Sequence, residues 1–478
     1  MKILLTVHQF FPEYSAGTEV LTYSVARELI ARGHEVRILT GYPADKILMD
    51  EDRCDEYDYQ GIHVYRFHHA YTPMAGQTSM LKIGYDNSLA AAYFGRILEK
   101  FKPDVAHFFH LNRLGSRLIE FAVDAGIPAF MTPTDFWSIC STGQLVLCNG
   151  SLCQGPSADA GNCIKHFAEN TRKGLIGKVA AAIPTALVDL LARLTLSGVL
   201  PPYPHREEVE AISSRLSINV ARLNQLNRIV SPNRHMTELL VRHGVSPHLL
   251  IQSAFGIDVA ESEMKVPDRA QRQPFIVCFI GTLARHKGCH ILIKAFKTLP
   301  PGQAILKIYG NMNEFPEYTS ELQRLAGDHS AIEFCGTFHN SKITQVLADA
   351  DTLVVPSLWY ENTPLVIYSA QAARCPVVAS DFPGISEVIQ DEENGLLFAP
   401  GNSQDLANKL SRLIEEPGLA DRLSKNCRKP KSTQLYVDEL LGIWNAMPSA
   451  SSDSTFCAHF GRLSREVSIV SAGDSGAS

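Results

Sequence analysis

The segment 355–380 holds the residues whose types and spacing point most directly to chemistry. Glu361 is followed by Thr363 and Pro364, which stand immediately before an apolar stretch. Because Thr is a favoured N-cap residue and Pro is favoured at the first helical position, we predict a helix that begins here with Thr363 as its N-cap. The free N–H groups at such a terminus attract anions. A carboxylate beside them suits the recognition of a sugar hydroxyl together with a phosphate.

Three further stretches carry residues suited to the same chemistry. Gly17 follows the first predicted strand and leads into a helix, where the missing side chain lets the backbone approach a phosphate. Arg285 and Lys287 follow the first strand of the second half and could neutralise a diphosphate. Asp135 lies where another strand ends. Taken singly, each feature has a structural explanation, since glycines occur in tight turns and basic pairs occur on solvated surfaces.

The elements that must position these residues alternate between strand and helix patterns in both halves of the chain. Short apolar runs separated by helical periods predict an α/β fold with parallel sheets. We predict two tandem Rossmann-like domains, at 1–255 and 274–430, joined by a polar linker at 256–273. Their sheets would face each other across a cleft. A helix at 431–447 could cross back to the first domain, and the Ser-rich stretch 448–478 is predicted to be disordered.

The composition excludes several classes of protein. The chain has 478 residues, 45% of them hydrophobic, and a formal net charge of −6, which gives no basis for nucleic-acid binding. The 11 Cys form no even disulfide framework, and the first residues read as a strand rather than as a signal peptide. We therefore expect a cytoplasmic protein.

The segment 175–200 is the most apolar long stretch, but Lys178, Pro184, Asp189 and Arg193 interrupt it. It is too broken to span a bilayer, which needs about 20 apolar residues. Two interpretations remain. The segment forms a helical pair packed on its own domain, or it forms a helix on the inner face of the membrane, which would suit a lipid-linked acceptor.

A cluster of thiols at 140–166 has two interpretations. Cys140, Cys148, Cys153, Cys163 and His166 could hold zinc, which is bound by sulfur and imidazole ligands. Their spacing lacks the paired CxxC pattern of ordinary zinc sites, which favours loop thiols without a metal.

The order and spacing of these segments resemble glycosyltransferase family 4 over most of 1–447. The Glu361 segment matches the first half of the family signature, a Glu followed seven residues later by a second Glu. The remaining matching segments are the N-terminal strand with its GxE-like loop AGTE at 16–19, GTLARHKG at 281–288, IYG at 308–310, EFCG at 333–336, WYENTPLVI at 359–367 and ENGLLF at 393–398.

The resemblance implies the glycosyltransferase B architecture, in which two Rossmann-like domains bind the donor and the acceptor on opposite sides of a cleft. It implies a retaining enzyme that moves a hexose-type sugar from a nucleotide sugar to a saccharide or lipid-linked acceptor, in the synthesis of a cell-surface polysaccharide or glycan. The family typically needs neither a metal nor another cofactor. Fixed positive charge would take the place of the metal by stabilising the diphosphate as the glycosyl bond breaks.

The resemblance also assigns roles to residues. Glu361 would contact hydroxyls of the donor sugar, while Lys287, Arg285 and the backbone at Gly17 would stabilise the diphosphate. Asp135 would act on the acceptor side. The other donor-binding positions divide into a phosphate group and a base group: Asn362, Thr363 and Leu365 for the phosphates, and Tyr309, Gly310, Gly336 and Phe338 near the base.

The chain departs from the family pattern at four positions. Ser369 stands where the second Glu of the signature would grip the ribose, and Arg374 stands where Gly is usual. Thr282 occupies a position where many members carry Arg, and Thr134 one where many carry His.

These departures leave an alternative open, namely a weakened or inactive relative that binds a nucleotide sugar or a protein partner. His107 and His110 are candidate replacements for the histidine missing at Thr134, although their apolar neighbours also fit a structural role.

Overall fold

The structure is a computed structural model that describes residues 1–44, 47–70, 72–171, 182–258 and 274–446. Most of the predicted linker, the first part of the apolar segment 175–200 and the predicted tail 448–478 lie outside the described residues.

Two sheets built from parallel strands organise the described residues. The first has eight strands: β1 Lys2–Val7, β2 Glu35–Pro43, β3 Cys54–Tyr59, β4 Ile62–His69, β5 Val105–Phe108, β6 Ala129–Met131, β7 Arg228–Ser231 and β8 Leu250–Gln252. Their order is β3-β4-β2-β1-β5-β6-β7-β8, and only β3 pairs antiparallel with its neighbour. The prediction of an α/β fold with parallel sheets is confirmed.

The helices of the first half cover this sheet. They are α1 Gly17–Ala31, α2 Met80–Ile83, α3 Ser88–Phe101, α4 Arg117–Asp124, α5 Gly161–Thr171, α6 Thr185–Leu196, α7 Arg206–Leu223 and α8 Arg234–Arg242. Helix α1 follows the first strand, as the sequence pattern predicts.

The second sheet has six parallel strands in the order β11-β10-β9-β12-β13-β14. These are β9 Phe275–Ile280, β10 Ala304–Tyr309, β11 Ile332–Gly336, β12 Thr352–Val355, β13 Val377–Ser380 and β14 Gly395–Phe398. Its helices are α9 Cys289–Phe296, α10 Pro316–Ala326, α11 Ile343–Ala348, α12 Leu365–Ala372, α13 Pro383–Ser386, α14 Ser403–Glu415 and α15 Leu419–Lys425.

The parallel strands are short apolar runs because helices cover both of their faces. Every residue of β12 and of β13 is buried, which leaves no solvent face to carry alternating polar residues. The carboxyl ends of the strands therefore collect the polar loops, and the candidate site residues lie on those loops.

The last described helix, α16 Thr433–Asn445, packs against the first half of the chain. Trp444 contacts the rings of His107 and Phe130, with ring centroids 5.5 Å and 6.4 Å away, and Tyr436 is fully buried in the same apolar cluster. The two halves are thus joined by this helix as well as by the chain that connects them.

The predicted start of the helix after Glu361 is wrong by one residue. Helix α12 begins at Leu365, and Pro364 is its N-cap residue, without a capping side chain. Thr363 instead adopts a left-handed backbone conformation, with φ of 63°, and its hydroxyl donates a hydrogen bond to the Gly384 carbonyl at 2.8 Å. The Thr side chain therefore fixes the loop to α13 rather than capping α12.

Candidate active site

Glu361 is the centre of a buried cluster on the loop between β12 and α12. Lys287 Nζ lies 2.8 Å from Glu361 Oε1, and the indole Nε1 of Trp359 donates to the same oxygen at 2.8 Å. The Ser357 hydroxyl is a third donor, at 2.6 Å. Within the described chain all of these bonds end on Oε1, so Oε2 can accept a hydrogen bond from a sugar hydroxyl.

The protonation state of Glu361 follows from this surrounding. Burial raises the pKa of the carboxyl, but the charge of Lys287 and the hydrogen bonds from Lys287, Ser357 and Trp359 outweigh it. The pKa of Glu361 consequently lies below its ordinary value, and the side chain is a carboxylate at neutral pH.

A close backbone contact brings Lys287 to this cluster. Gly288 has φ of 73°, and a Cβ built on it would lie 1.8 Å from the Pro356 carbonyl oxygen. Only Gly fits a left-handed residue against another backbone segment. The turn after β9 can therefore press against the end of β12, which places Lys287 beside Glu361 on the next loop.

The amino end of α12 faces the amino end of α1 across the cleft. A Cβ placed on Gly17 would lie 3.9 Å from Leu365 Cδ1. The starts of the two helices, one from each half, are thus in contact, and a helix N-terminus favours an anionic group. The structure brings together two pairs of predicted positions, Gly17 with Leu365 and Lys287 with Glu361.

Arg285 does not join this group. It is exposed, pairs with Glu321 on α10, and lies over the Tyr318 ring, 5.3 Å from its centroid. Its charge is therefore paired with Glu321 rather than with Glu361, and its role in neutralising a diphosphate stays a prediction.

A row of glycines lies at the ends of β9, β10 and β11. The Gly281 N–H donates to the Tyr309 carbonyl at 3.1 Å, and the Gly310 N–H donates to the Gly336 carbonyl at 2.8 Å. The ring of Tyr309 meets that of Phe338 edge to face, with centroids 5.3 Å apart. These partly exposed residues, next to Thr282, offer backbone groups and an aromatic face to a planar ligand.

The departures from the family pattern have local explanations. Ser369 donates its hydroxyl to the Leu365 carbonyl one turn earlier in α12, at 3.2 Å. Arg374 adopts φ of 54° just after α12, which explains why Gly is usual there, and its guanidinium bonds to the Cys427 and Lys425 carbonyls. Ser369 thus offers a ribose no carboxylate.

Asp135 lies with His110 on the first half of the cleft. His110 Nε2 is 3.0 Å from Asp135 Oδ1, which also accepts a bond from the Trp137 N–H. Thr134 donates to the Phe109 carbonyl at 3.3 Å. His110 therefore contacts the acidic residue at the predicted acceptor side.

His107, the other candidate, has a structural role. Its ring is buried between the Thr132 hydroxyl, 2.9 Å from Nε2, and the Trp444 indole N–H, 3.2 Å from Nδ1. Burial lowers the pKa of His107 to about 3, so it stays neutral within the core.

His8 and Glu19 form a further polar pair in the first half, to which the sequence pattern assigned no role. The ring of His8, just after β1, lies 4.1 Å from that of His110, and His8 Nε2 is 3.7 Å from Glu19 Oε1. Glu19 is fully buried in the first turn of α1. Glu19 lies in the AGTE segment at 16–19, and an acidic residue in the first turn of a predicted helix is the sequence signal for it.

The two halves contact each other through Asn362. Its amide oxygen accepts a hydrogen bond from Asn233 Nδ2 at 2.8 Å, and its amide nitrogen donates to the Pro133 carbonyl at 3.0 Å. The loop that carries Glu361 is thus held against the first half of the chain.

A cavity of about 780 Å³ opens on the other side of Thr363, between α12, α16 and the ends of β7 and β8. It is lined by Asn233, Tyr368 and Glu387 among others, but not by Glu361 or Lys287. It is therefore separate from the cluster described above.

The thiols at 140–166 make hydrogen bonds to neighbouring amide groups. Within the described residues no group of three or more His, Cys, Asp and Glu side chains could hold a metal ion. The Cys148 thiol instead donates to Asn170 Oδ1 at 3.2 Å, and the Asn162 amide donates to Cys153 Sγ at 3.7 Å.

None of the helices in the described ranges combines the length and the hydropathy that crossing a bilayer requires.

The fold and the cleft can be compared with known proteins. The solved structure of HepE from Anabaena in complex with UDP and glucose aligns with 94% of this chain and 100% of its own, with a TM-score of 0.60 at 18% identity. The sucrose-phosphate synthase of Thermosynechococcus elongatus aligns with 98% of this chain and 100% of its own, with a TM-score of 0.58 at 17% identity. These similarities define an α/β protein with the glycosyltransferase B fold.

Two family models match the sequence. Residues 16–162 match the glycosyl transferase 4-like domain, and residues 261–430 match the glycosyl transferases group 1 domain, which together cover about two thirds of the chain. The chain belongs to the group 1 glycosyltransferases of the family 4 type, as the resemblance of its motifs predicted.

Curated relatives match a part of the chain. An uncharacterised glycosyltransferase of Methanocaldococcus jannaschii is 30% identical over 155 residues, which is 32% of this chain and 39% of that protein. The D-inositol 3-phosphate glycosyltransferase of Corynebacterium aurimucosum is 27% identical over 204 residues, which is 39% of this chain and 48% of that protein. The chain thus spans less than half the length of these two relatives.

Proposed function

We propose that the protein transfers a hexose-type sugar from a nucleotide sugar to a saccharide or lipid-linked acceptor, with retention of the anomeric configuration, in the synthesis of a cell-surface polysaccharide or glycan. The observation that carries this proposal is the ion pair between the partly exposed Lys287 and the buried Glu361, on the loop that leads to the amino end of α12. That arrangement combines a fixed carboxylate for sugar hydroxyls with fixed positive charge for a diphosphate.

The transfer reaction requires positive charge at the phosphate of the donor. When the bond between C1 of the sugar and the phosphate oxygen breaks, the electron pair stays on the phosphate and negative charge develops there. Lys287 and the backbone N–H groups at the starts of α12 and α1 would stabilise that charge without having to reorganise. This supply of positive charge supports a reaction that does not depend on a metal.

Glu361 would hold the sugar in place. Because Lys287, Ser357 and Trp359 fix one carboxylate oxygen, the other has a defined direction from which to accept a sugar hydroxyl. The glycine row with Tyr309 would receive the base, since backbone groups and an aromatic face suit a planar heterocycle. UDP-glucose is a sensible first donor to test, because the structurally similar HepE has been solved in complex with it.

A calorimetric titration with UDP-glucose, UDP-galactose, UDP-N-acetylglucosamine and GDP-mannose tests the proposal, followed by NMR of the product. We expect saturable binding of one donor, weakened by Lys287→Met, and a product with the donor's anomeric configuration. Binding without turnover would favour the alternative of a weakened or inactive relative. In that case the loss of the second signature Glu, which Ser369 replaces, would account for the missing activity. No binding of any donor would refute the proposal.

The acceptor side of the proposal includes contact with the membrane surface. Helix α6 exposes Leu187, Leu190 and Leu191, at a spacing that places them on one face, with exposed fractions of 58%, 48% and 38%. The segment 165–200 carries five Lys and Arg against two Asp and Glu, although the whole chain is acidic. An apolar face in a basic segment suits the interface of a membrane with anionic lipids.

Vesicle sedimentation tests this contact. We expect the protein to bind vesicles that contain phosphatidylglycerol and to bind pure phosphatidylcholine weakly. The double variant Leu187→Gln, Leu190→Gln should lose binding, whereas Leu435→Gln, which changes a leucine of similar exposure on α16, should retain it. Equal sedimentation of the two variants would refute the contact, and dimerisation of the wild type through this face would show a second copy as the occupant instead.

A further inference from the structure

A row of ring-bearing and cationic side chains follows the carboxyl edge of the first sheet. Tyr14 lies on the loop after β1, and Arg113 lies on the loop after β5. Tyr42 and His68 lie near the carboxyl ends of β2 and β4. All four residues, here called the edge row, are partly exposed to solvent. Loops and strand ends at this edge of a parallel sheet line the ligand crevice of such folds, so a ligand can reach the edge row.

The rings of the edge row contact one another. The Tyr14 and Tyr42 rings meet edge to face with centroids 6.0 Å apart, and those of Tyr42 and His68 do so at 5.4 Å. The guanidinium carbon of Arg113 lies 5.8 Å from the Tyr14 centroid. That of Arg66 lies 5.1 Å from the Tyr42 centroid. These contacts hold the rings in place before a ligand arrives, which lowers the entropic cost of binding.

Arg113 has a strained backbone at the point where three strand ends meet. Its φ is 68°, in the left-handed region, and its Nη1 donates to the His8 carbonyl at 3.2 Å and to Gln9 Oε1 at 3.0 Å. A Cβ on Gly41 of β2 would lie 2.9 Å from Arg113 Cβ, so the absence of a side chain lets β2 approach this loop. Left-handed residues other than Gly cost energy and are concentrated at binding sites, which supports a ligand here.

Contacts connect the edge row with the loop between β12 and α12. The ring of His8, whose carbonyl Arg113 contacts, lies 4.1 Å from the ring of His110, and His110 Nε2 is 3.0 Å from Asp135 Oδ1. Two residues before Asp135, the Pro133 carbonyl accepts a hydrogen bond from the side chain on the donor loop. The edge row therefore starts beside the proposed transfer site and leads away from it along the first sheet.

The length of this edge exceeds that of a single sugar. The strands β6, β5, β1, β2 and β4 are successive neighbours in the sheet. At about 4.8 Å between neighbouring strands, the edge from Asp135, after β6, to His68, on β4, spans about 19 Å, which is several times the width of one sugar ring. An extended ligand is needed to contact both ends.

The charges around Tyr42 are paired within the protein. Arg66 donates two hydrogen bonds to the Asp55 carboxylate, at 2.8 Å and 2.7 Å. The same carboxylate lies 3.1 Å from His68 Nε2. This part of the edge therefore suits a ligand that presents hydroxyl and C–H groups rather than one that carries several charges.

We propose that the edge row binds the saccharide part of the acceptor, with two or more sugar units extended along it from the transfer site. One face of a pyranose ring presents C–H groups, and these match the negative faces of the Tyr14 and Tyr42 rings. The Arg113 guanidinium donates hydrogen bonds to sugar hydroxyls. The inference rests on the proposed function, and it narrows the acceptor to an oligosaccharide rather than a bare lipid head group.

Transfer to soluble sugars, compared with hydrolysis of the donor by water, tests the assignment. Nucleotide release from the donor that binds in the calorimetric panel is measured alone and with maltotriose, cellotriose, chitotriose, their monosaccharides or glycerol phosphate. We expect a trisaccharide to accelerate release, with a lower KM than its monosaccharide. Acceleration by glycerol phosphate alone, by a monosaccharide at the same KM, or by none of these probes would overturn the inference. Failure of the wild type to bind any donor would refute the proposed function instead.

Variants of the two tyrosines test their role in acceptor binding. Tyr14→Ala and Tyr42→Ala should each raise the KM for the trisaccharide by about 3- to 10-fold, while hydrolysis by water and donor affinity stay within about twofold. Tyr42→Phe keeps the ring and should keep the wild-type KM. Phe275→Ala, which removes a partly exposed ring at the amino end of β9, is the matched control. An unchanged trisaccharide KM in both alanine variants, or an equal fall in hydrolysis by water, would overturn the inference.

Discussion

Replacing Lys287 with Met removes one charge from the cluster at Glu361 and changes little else. The Met side chain has nearly the same length, so it can fill the space between Trp359 and Glu361. Glu361 would keep the hydrogen bonds from Ser357 and Trp359 but lose its only cationic partner in the described chain. A hydrogen bond to a charged group contributes about 1.5–3 kcal/mol. Since about 1.4 kcal/mol corresponds to a factor of ten, we expect kcat/KM to fall by about 10- to 150-fold.

The structure also bounds the effect of this change on stability. Glu361 is fully buried, but the Lys287 side chain is 25% exposed, so solvent already screens part of the interaction. We expect a loss of about 1–3 kcal/mol in the free energy of unfolding, less than the 3–5 kcal/mol typical of a fully buried pair. The pKa of Glu361 should rise in the variant because its principal stabilising charge is gone.

The assay is nucleotide release at neutral pH combined with urea unfolding. Lys294→Met is the matched control, because Lys294 is an exposed residue of α9 close in sequence to Lys287. We expect the control to keep wild-type activity and stability.

A double-mutant cycle with Glu361→Gln decides whether the two residues act as a pair. Residues in one hydrogen-bonded network show coupling energies of about 0.5–3 kcal/mol. Additive effects of the two changes on kcat/KM, or a fall of less than about threefold in Lys287→Met, would refute the reasoning.

The remaining predictions concern titration and packing. The pKa of Glu361 is depressed in the folded state, so its contribution to the free energy of unfolding is present above its ordinary pKa and is lost as pH falls through the depressed pKa. The free energy of unfolding of Glu361→Gln should therefore fall less with decreasing pH than that of the wild type. For Glu19 the pH dependence of stability runs the other way, because its pKa in the folded state is about 7, above the ordinary 4.5. Its contribution to the free energy of unfolding is present at pH 4 and is lost as pH rises through 7. In urea unfolding, Glu19→Gln should therefore stabilise the protein by up to about 3 kcal/mol at pH 8.5 and by little at pH 4. Gly288→Ala should lower the free energy of unfolding by at least about 2 kcal/mol, because its Cβ would overlap the Pro356 carbonyl. Gly302→Ala is the control for backbone strain alone, because Gly302 has φ of 82° and nothing lies within 4 Å of an added Cβ. Ser369→Glu should raise donor affinity in calorimetry if α12 can offer the carboxylate that the family signature places there, and unchanged affinity would show that the ribose is held in another way.

The alternation of strands and helices could be predicted from sequence because each parallel strand is a short apolar run. β12 and β13, buried on both faces, are clear examples. Lys287 and Glu361 could be placed on one cleft because both follow strands of the same sheet. The signal in these cases is local, since a few neighbouring residues define each element.

Other features depended on contacts between distant segments. The left-handed backbone at Thr363 accompanies a hydrogen bond from its hydroxyl to the distant Gly384 carbonyl. No local pattern indicates it, since Thr before Pro is typical of an ordinary helix start. The sequence alone could not distinguish the role of Arg285 from that of Lys287, because the ion-pair partner of Arg285, Glu321, comes from α10. The approach of His8 to Glu19 requires knowledge of how α1 packs against the end of β1.

The most direct test of the account is the binding of a nucleotide sugar to the cluster around Glu361. A calorimetric titration of the full chain, beginning with UDP-glucose, should give saturable binding of one donor from the panel, with affinity reduced at least about tenfold in Glu361→Gln. The same titration of Lys294→Met should match the wild type. Wild-type affinity in Glu361→Gln, or no binding of any nucleotide sugar by the wild type, would contradict the account.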